Sequence, residues 1–154
     1  MKTIRTQTLF TRVLVAGFIA LTLSLGAEAA SPARKGNLNV TKECSENTGA
    51  AGSFCTITSS NLAEIKIGSK VFYDQAAGIP TGLLDSNVVL DAGDGNRAVG
   101  RCTLDFATLL GLCTFSDGTG QFAGFEARII VTYTGGANFT WNGTYSFSSE
   151  PGRD

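Results

Sequence analysis

The amino-acid sequence predicts an all-β chain folded as an eight-stranded antiparallel closed barrel, preceded by an N-terminal signal helix. Three observations predict it. Helical periodicity is absent beyond residue 30, where short apolar runs recur between turn signals. Glycine is abundant, at 19 of 154 residues, and proline scarce, at 3, as suits many tight turns between uninterrupted strands. The two longest runs each put their aromatic residues on one face, and a single sheet with such a face keeps it from water by closing on itself.

The N-terminus is read first. "MKTIRTQTLFTR" carries Lys2, Arg5 and Arg12 and no acid, Val13 to Leu25 is apolar, and Ala27 and Ala29 form an A-x-A site. The run is shorter than the ~20 residues that span a bilayer. Residues 1–29 therefore read as a cleaved signal peptide, with a secreted or periplasmic destination. Losing Lys2, Arg5, Arg12 and Glu28 leaves 9 basic and 12 acidic residues, a net charge of −3. This argues against nucleic acid as a partner and, after signal cleavage, against a membrane surface. The count of 0 histidines excludes Ser-His-Asp and Cys-His catalysis and His-ligated zinc.

Cys44, Cys55, Cys102 and Cys113 all lie beyond the cleavage site. An even count in an oxidising compartment reads as two disulfides. Zinc would want closer pairs such as C-x-x-C, so no metal is assigned.

Residues 30–37, "ASPARKGN", form a polar leader, 38–148 one barrel domain and 149–154 a polar tail. Strands are expected at 38–43, 54–59, 69–75, 84–91, 97–106, 111–116, 122–134 and 138–148. "NLAEIKIG", 61–68, has the makings of one or two helical turns. "DAGDGNR", 91–97, is a hairpin turn. Its oxygen donors Asp91, Asp94 and Asn96 lack the spacing of a calcium loop. With Ala107-Thr108 as the next turn, Cys102 lies opposite Cys113, Leu104 opposite Gly111 and Gly100 opposite Phe115. Cys44–Cys55 follows by the same logic between the first two strands, and the crossed pairings stay open at this point.

"FSDGTGQFAGFEARIIVTY" resembles a phosphate loop at first sight. That motif needs G-x-G-x-x-G opening a helix. Here Gly118, Gly120 and Gly124 give G-x-G-x-x-x-G before a strand, with Phe125, Ala127, Ile129, Val131 and Tyr133 on one face. "SDGTG" is read as a tight turn. The last strand repeats the pattern with Phe139, Trp141, Gly143, Tyr145 and Phe147. The inward set is thus expected to include Phe115, Phe125, Ile129, Tyr133, Phe139, Trp141 and Tyr145, with Arg128, Thr132, Asn138, Thr140 and Asn142 outward.

"SSNLAEIKIGSKVFY", "LDSNVVLDAGDGNRAVGRCTLDF", "GLCTFSDGTGQFAGFEARIIV" and "WNGTYSF" resemble the secreted bacterial members of the allene oxide cyclase-like barrel family, across most of 54–148. That group is related in fold to plant allene oxide cyclases and dirigent proteins. The resemblance implies a calycin-type barrel that holds a small apolar ligand and, from the plant relatives, a homotrimer. It implies cofactor-free isomerase or cyclase chemistry, with no cofactor and no metal, and no catalytic residue carries over. A lipocalin proper is disfavoured, since the one tryptophan lies in the final strand rather than in an N-terminal Gly-x-Trp.

The candidate cavity-lining residues are Phe115, Phe125, Tyr133, Phe139, Trp141 and Tyr145. Each tyrosine, Tyr73 included, reads first as core with a bonded hydroxyl. Arg101 with Asp105, and Glu126 with Arg128, read as solvated ion pairs. The sequons at Asn39, Asn138 and Asn142 are not expected to be used in a bacterium. The alternative to a ligand-binding barrel is a non-catalytic extracellular structural or protein-interaction module. A chamber containing a convergent polar group favours the first reading, and a completely filled barrel the second.

Overall fold

The computed structural model describes residues 33–78 and 81–148. The signal segment at 1–29, the first residues of the leader and the tail at 149–154 lie outside them. The strands are β1 (Arg34–Glu43), β2 (Phe54–Ser60), β3 (Lys70–Tyr73), β4 (Leu83–Asp91), β5 (Arg97–Asp105), β6 (Leu110–Thr119), β7 (Phe125–Gly135) and β8 (Asn138–Phe147). They run antiparallel in sequence order around a closed barrel, and β8 closes on β1, Trp141 facing Val40. Closure leaves no open sheet edge. Among the described residues the one helical element is the 3-10 turn Gly120–Phe122.

The alternation that predicts the strands also sets their burial. Leu38 and Val40 on β1, Val88 and Leu90 on β4, and Phe125, Ile129 and Val131 on β7 point inward and are buried. Arg128, Asn138 and Asn142 are exposed, and Thr132 and Thr140 half-buried. Inward glycines let neighbouring strands approach closely. A Cβ on Gly143 would stand 2.0 Å from the Arg128 carbonyl oxygen, and one on Gly100 2.1 Å from that of Thr114.

Three local expectations are corrected. β1 begins at Arg34 rather than at 38, and Arg34–Asn37 pair with Phe147–Thr144. The Arg34 guanidinium lies 4.3 Å from the Phe147 ring centroid and 2.7 Å from Glu64, so a polar stretch is held by β8 and the β2–β3 loop. The stretch 61–68 forms turns and no helix, with Ile65 N–H donating to the Leu62 carbonyl. "SDGTG" is not the tight turn. A bulge between Val99 and Gly100 carries Ser116–Thr119 onward in β6, and the reversal falls at Gly120–Gly124. Gly118 permits this, because a Cβ there would meet Phe122 at 2.5 Å and the Arg97 carbonyl at 2.6 Å.

The β5–β6 hairpin has the expected register, with Cys102 opposite Cys113, Leu104 opposite Gly111 and Gly100 opposite Phe115. Both disulfides form as neighbouring pairs, Cys44–Cys55 and Cys102–Cys113, with Cα atoms 4.2 and 4.1 Å apart. The exposed pairs differ from expectation. Arg101 binds Asp85 on β4 at 2.6 Å, while Asp105 instead accepts from the Ala107 and Thr108 N–H groups of its own turn. No ion pair joins Glu126 to Arg128 among the described residues.

Candidate ligand site at the mouth of the barrel

The two ends of the barrel differ. The end where β7 begins is packed with rings: Phe115, Phe122, Phe125, Phe147 and Trp141 meet at centroid distances between 5.1 and 6.1 Å. Phe122, on the 3-10 turn, closes this end and is fully buried. The Asn96 carboxamide ties that turn to the β4–β5 hairpin by accepting from Gln121 N–H and donating to the Gly93 carbonyl.

The other end holds a chamber of about 360 Å3. Leu84, Leu104, Val131 and Phe139 supply apolar wall, and both disulfides line it. One disulfide joins β1 to β2 and the other β5 to β6, so they stand on opposite sides of the eight-strand ring. Thr48, Gly49, Ala77, Phe106 and Gly136 form the rim, on four loops at the same end.

Two polar groups converge in this chamber. Lys42 follows Leu38 and Val40 on the inward face of β1 and is 3% exposed. Its Nζ donates to the Tyr73 hydroxyl at 2.5 Å. The same nitrogen lies 4.7 Å from the Trp141 ring centroid, 5.3 Å from that of Tyr73 and 5.7 Å from that of Phe139. No carboxylate lies within ion-pair distance of it among the described residues. A bulge positions the pair's neighbours: Thr41 faces Ser59 but Lys42 faces Ile57, leaving Thr58 as the extra residue of β2.

Burial governs the electrostatics. Desolvation lowers the Lys42 amine from 10.5 to about 7. The three ring faces favour the ammonium and moderate that effect. Desolvation raises the Tyr73 phenol, which stays protonated. Its hydroxyl lies 3.8 Å from Cys55 Sγ, a disulfide sulfur that can only accept. The Trp141 Nε1–H is buried with no partner. Lys42 and Tyr73 thus face the chamber as donors, while the side-chain oxygen of Asn47 on its wall already accepts from Gly49 N–H and the Ser53 hydroxyl, and an uncharged amine can also act as a nucleophile.

Of the six aromatic residues expected to line a cavity, Phe139 does so. Phe115 and Phe125 are buried in the ring-packed end, away from the chamber wall, and Trp141 is buried between that end and Lys42. Tyr133 is half-buried and packs edge-on against Phe139 at 5.4 Å. Tyr145 is half-buried against Phe147 and closes on Gly36. Large rings fill space, and much of the space that stays open is walled by Leu84, Leu104, Val131 and the two cystines. Lys42 is missing from the sequence-based candidates. The signal for it is the alternation Leu38-Val40-Lys42-Cys44, which seats a lysine on an apolar inward face.

Among the described residues no group of three or more metal-binding side chains forms, and no helix is long and apolar enough to cross a membrane. The two disulfides fit an oxidising extracellular or periplasmic setting. Comparison of the chain with family models, with curated proteins and with solved structures gives no match.

Proposed function

We propose that the protein is an exported small-molecule-binding barrel of the allene oxide cyclase-like type, whose ligand has an apolar body and one hydrogen-bond-accepting oxygen. The observation that carries this is the chamber itself: about 360 Å3 of mostly apolar space with one convergent polar pair, Lys42 and Tyr73. At the ~30 Å3 that one water takes in the liquid, that space holds about twelve heavy atoms. The oxygen would accept from Lys42 Nζ, and the chain or ring would lie against Leu84, Leu104, Val131 and Phe139. Cofactor-free isomerisation or cyclisation is the chemistry the family resemblance adds, with the same two donors polarising the substrate oxygen. A second reading, a non-catalytic interaction module, has the outward Leu110 and Ile130 in its favour, 50% and 51% exposed on adjacent strands.

Titration with 1-octanol and with octanoate tests the first reading. The single tryptophan, Trp141, lies against Lys42, so its emission should change and saturate at one ligand per chain. Val131→Phe, which fills the chamber, should abolish the response. No saturable change with either compound, and no one-to-one complex by native mass spectrometry, would sink the reading.

A further inference from the structure

Lys42 is placed as a nucleophile as well as a hydrogen-bond donor. We propose that Lys42 Nζ captures the carbonyl carbon of an apolar aldehyde or ketone in the chamber as an imine, with the Tyr73 hydroxyl relaying the proton. This deepens the binding reading and rests on it.

Three features of the geometry carry the inference. The amine lines the chamber while being almost sealed from bulk solvent, so the chamber is its route to a reactant. The Tyr73 hydroxyl is already bonded to it at 2.5 Å, where the oxygen of an attacked carbonyl also has to find a proton. No carboxylate holds the nitrogen as a permanent ammonium among the described residues. Burial supports the same role by bringing the amine to about 7, so that its uncharged form is well populated at neutral pH. The ligand class follows from desolvation. A carboxylate would have to shed its hydration to enter this apolar space, whereas a neutral carbonyl gives up far less.

The step balances without an outside oxidant or reductant. The nitrogen lone pair forms a C–N bond as the carbonyl π bond breaks onto oxygen. The proton lost by nitrogen reaches that oxygen through the Tyr73 hydroxyl, which ends as it began. The nitrogen lone pair of the carbinolamine then forms the C=N bond as the C–O bond breaks, and the second nitrogen proton leaves with the hydroxyl group as water.

The folded chain incubated with octanal and sodium cyanoborohydride tests this, because hydride reduces an imine to a stable octylamine. Lys42, Lys35, Lys66 and Lys70 are then compared by peptide mass mapping. Octylation at about pH 7 should occur at Lys42 at least about tenfold faster than at the others. Tyr73→Phe should slow it about tenfold at saturating octanal, a loss in the limiting rate. Octylation spread evenly over the lysines, or missing from Lys42 while 1-octanol still binds, overturns the imine alone. No octylation of Lys42 together with no 1-octanol binding overturns the imine and the binding reading together.

Discussion

The placement of Lys42 costs the fold stability. An amine 3% exposed, with one hydroxyl partner and three rings, has lost nearly all its water. A drop from 10.5 to about 7 corresponds to an ammonium disfavoured by up to ~5 kcal/mol. Between those two values the unfolded chain holds the proton and the folded chain does not. Stability is therefore lost as pH falls from 10.5 toward 7, and the whole penalty applies below that. Lys42→Met keeps the length of the side chain and removes the titration. It should be more stable than the parent at about pH 7, by a few kcal/mol, with the gap closing toward about pH 10. Urea midpoints of the two proteins at both pH values check this, and a gap independent of pH would contradict it. A residue retained at such a cost is better explained by what it meets in the chamber than by the barrel it weakens. Sequence patterning shows where Lys42 points but not how much open space lies in front of it, because that depends on side chains from all seven other strands.

Among the elements, β7 shows most directly how alternation becomes a barrel wall. Ile129 is fully buried between Cys113 and Gly143, while Ile130, one residue on, is 51% exposed. Burying an isoleucine is worth about 1.5–3 kcal/mol, and a buried unpaired carboxylate costs several more. Ile129→Asp should therefore fail to fold, and Ile130→Asp should keep the parent's circular dichroism and melt within a few degrees of it. Unfolding of both variants would mean that the outward face is covered as well. The period-2 pattern made this legible, together with all eight strands and the β5–β6 register. The β6–β7 reversal was misplaced because a bulge adds a residue that no alternation records, and Gly118 serves as readily inside a strand as in a turn. The Lys42 setting depends on another bulge, at Thr58, which is equally silent in the sequence.

At the scale of the whole molecule, the barrel is solid at one end and open at the other. Alternation is the same at both ends, so the sequence shows the wall without showing which end is filled. That depends on side-chain volume layer by layer, and the layers follow from strand tilt and register. The solid end is held by Phe115, Phe122, Phe125, Trp141 and Phe147, each able to contribute a few kcal/mol by burial. The open end has no such plug. What it has is a disulfide on either side of the ring, each joining cysteines 11 residues apart. A loop of that size constrains the unfolded chain by roughly 2–3 kcal/mol. The stabilisation is global, but the cross-link acts locally on the chamber wall, since all four cysteines line it. Replacing Cys102 and Cys113 by serine should thus lower stability by roughly that amount. It should also speed hydrogen exchange at the open ends of β5 and β6 more than at Phe125 or Trp141. Ligand response should weaken in parallel, because the wall carrying Leu104 is then free to close or spread. Uniformly faster exchange at both ends, with unchanged 1-octanol binding, would show that the disulfides stabilise the fold without shaping the chamber.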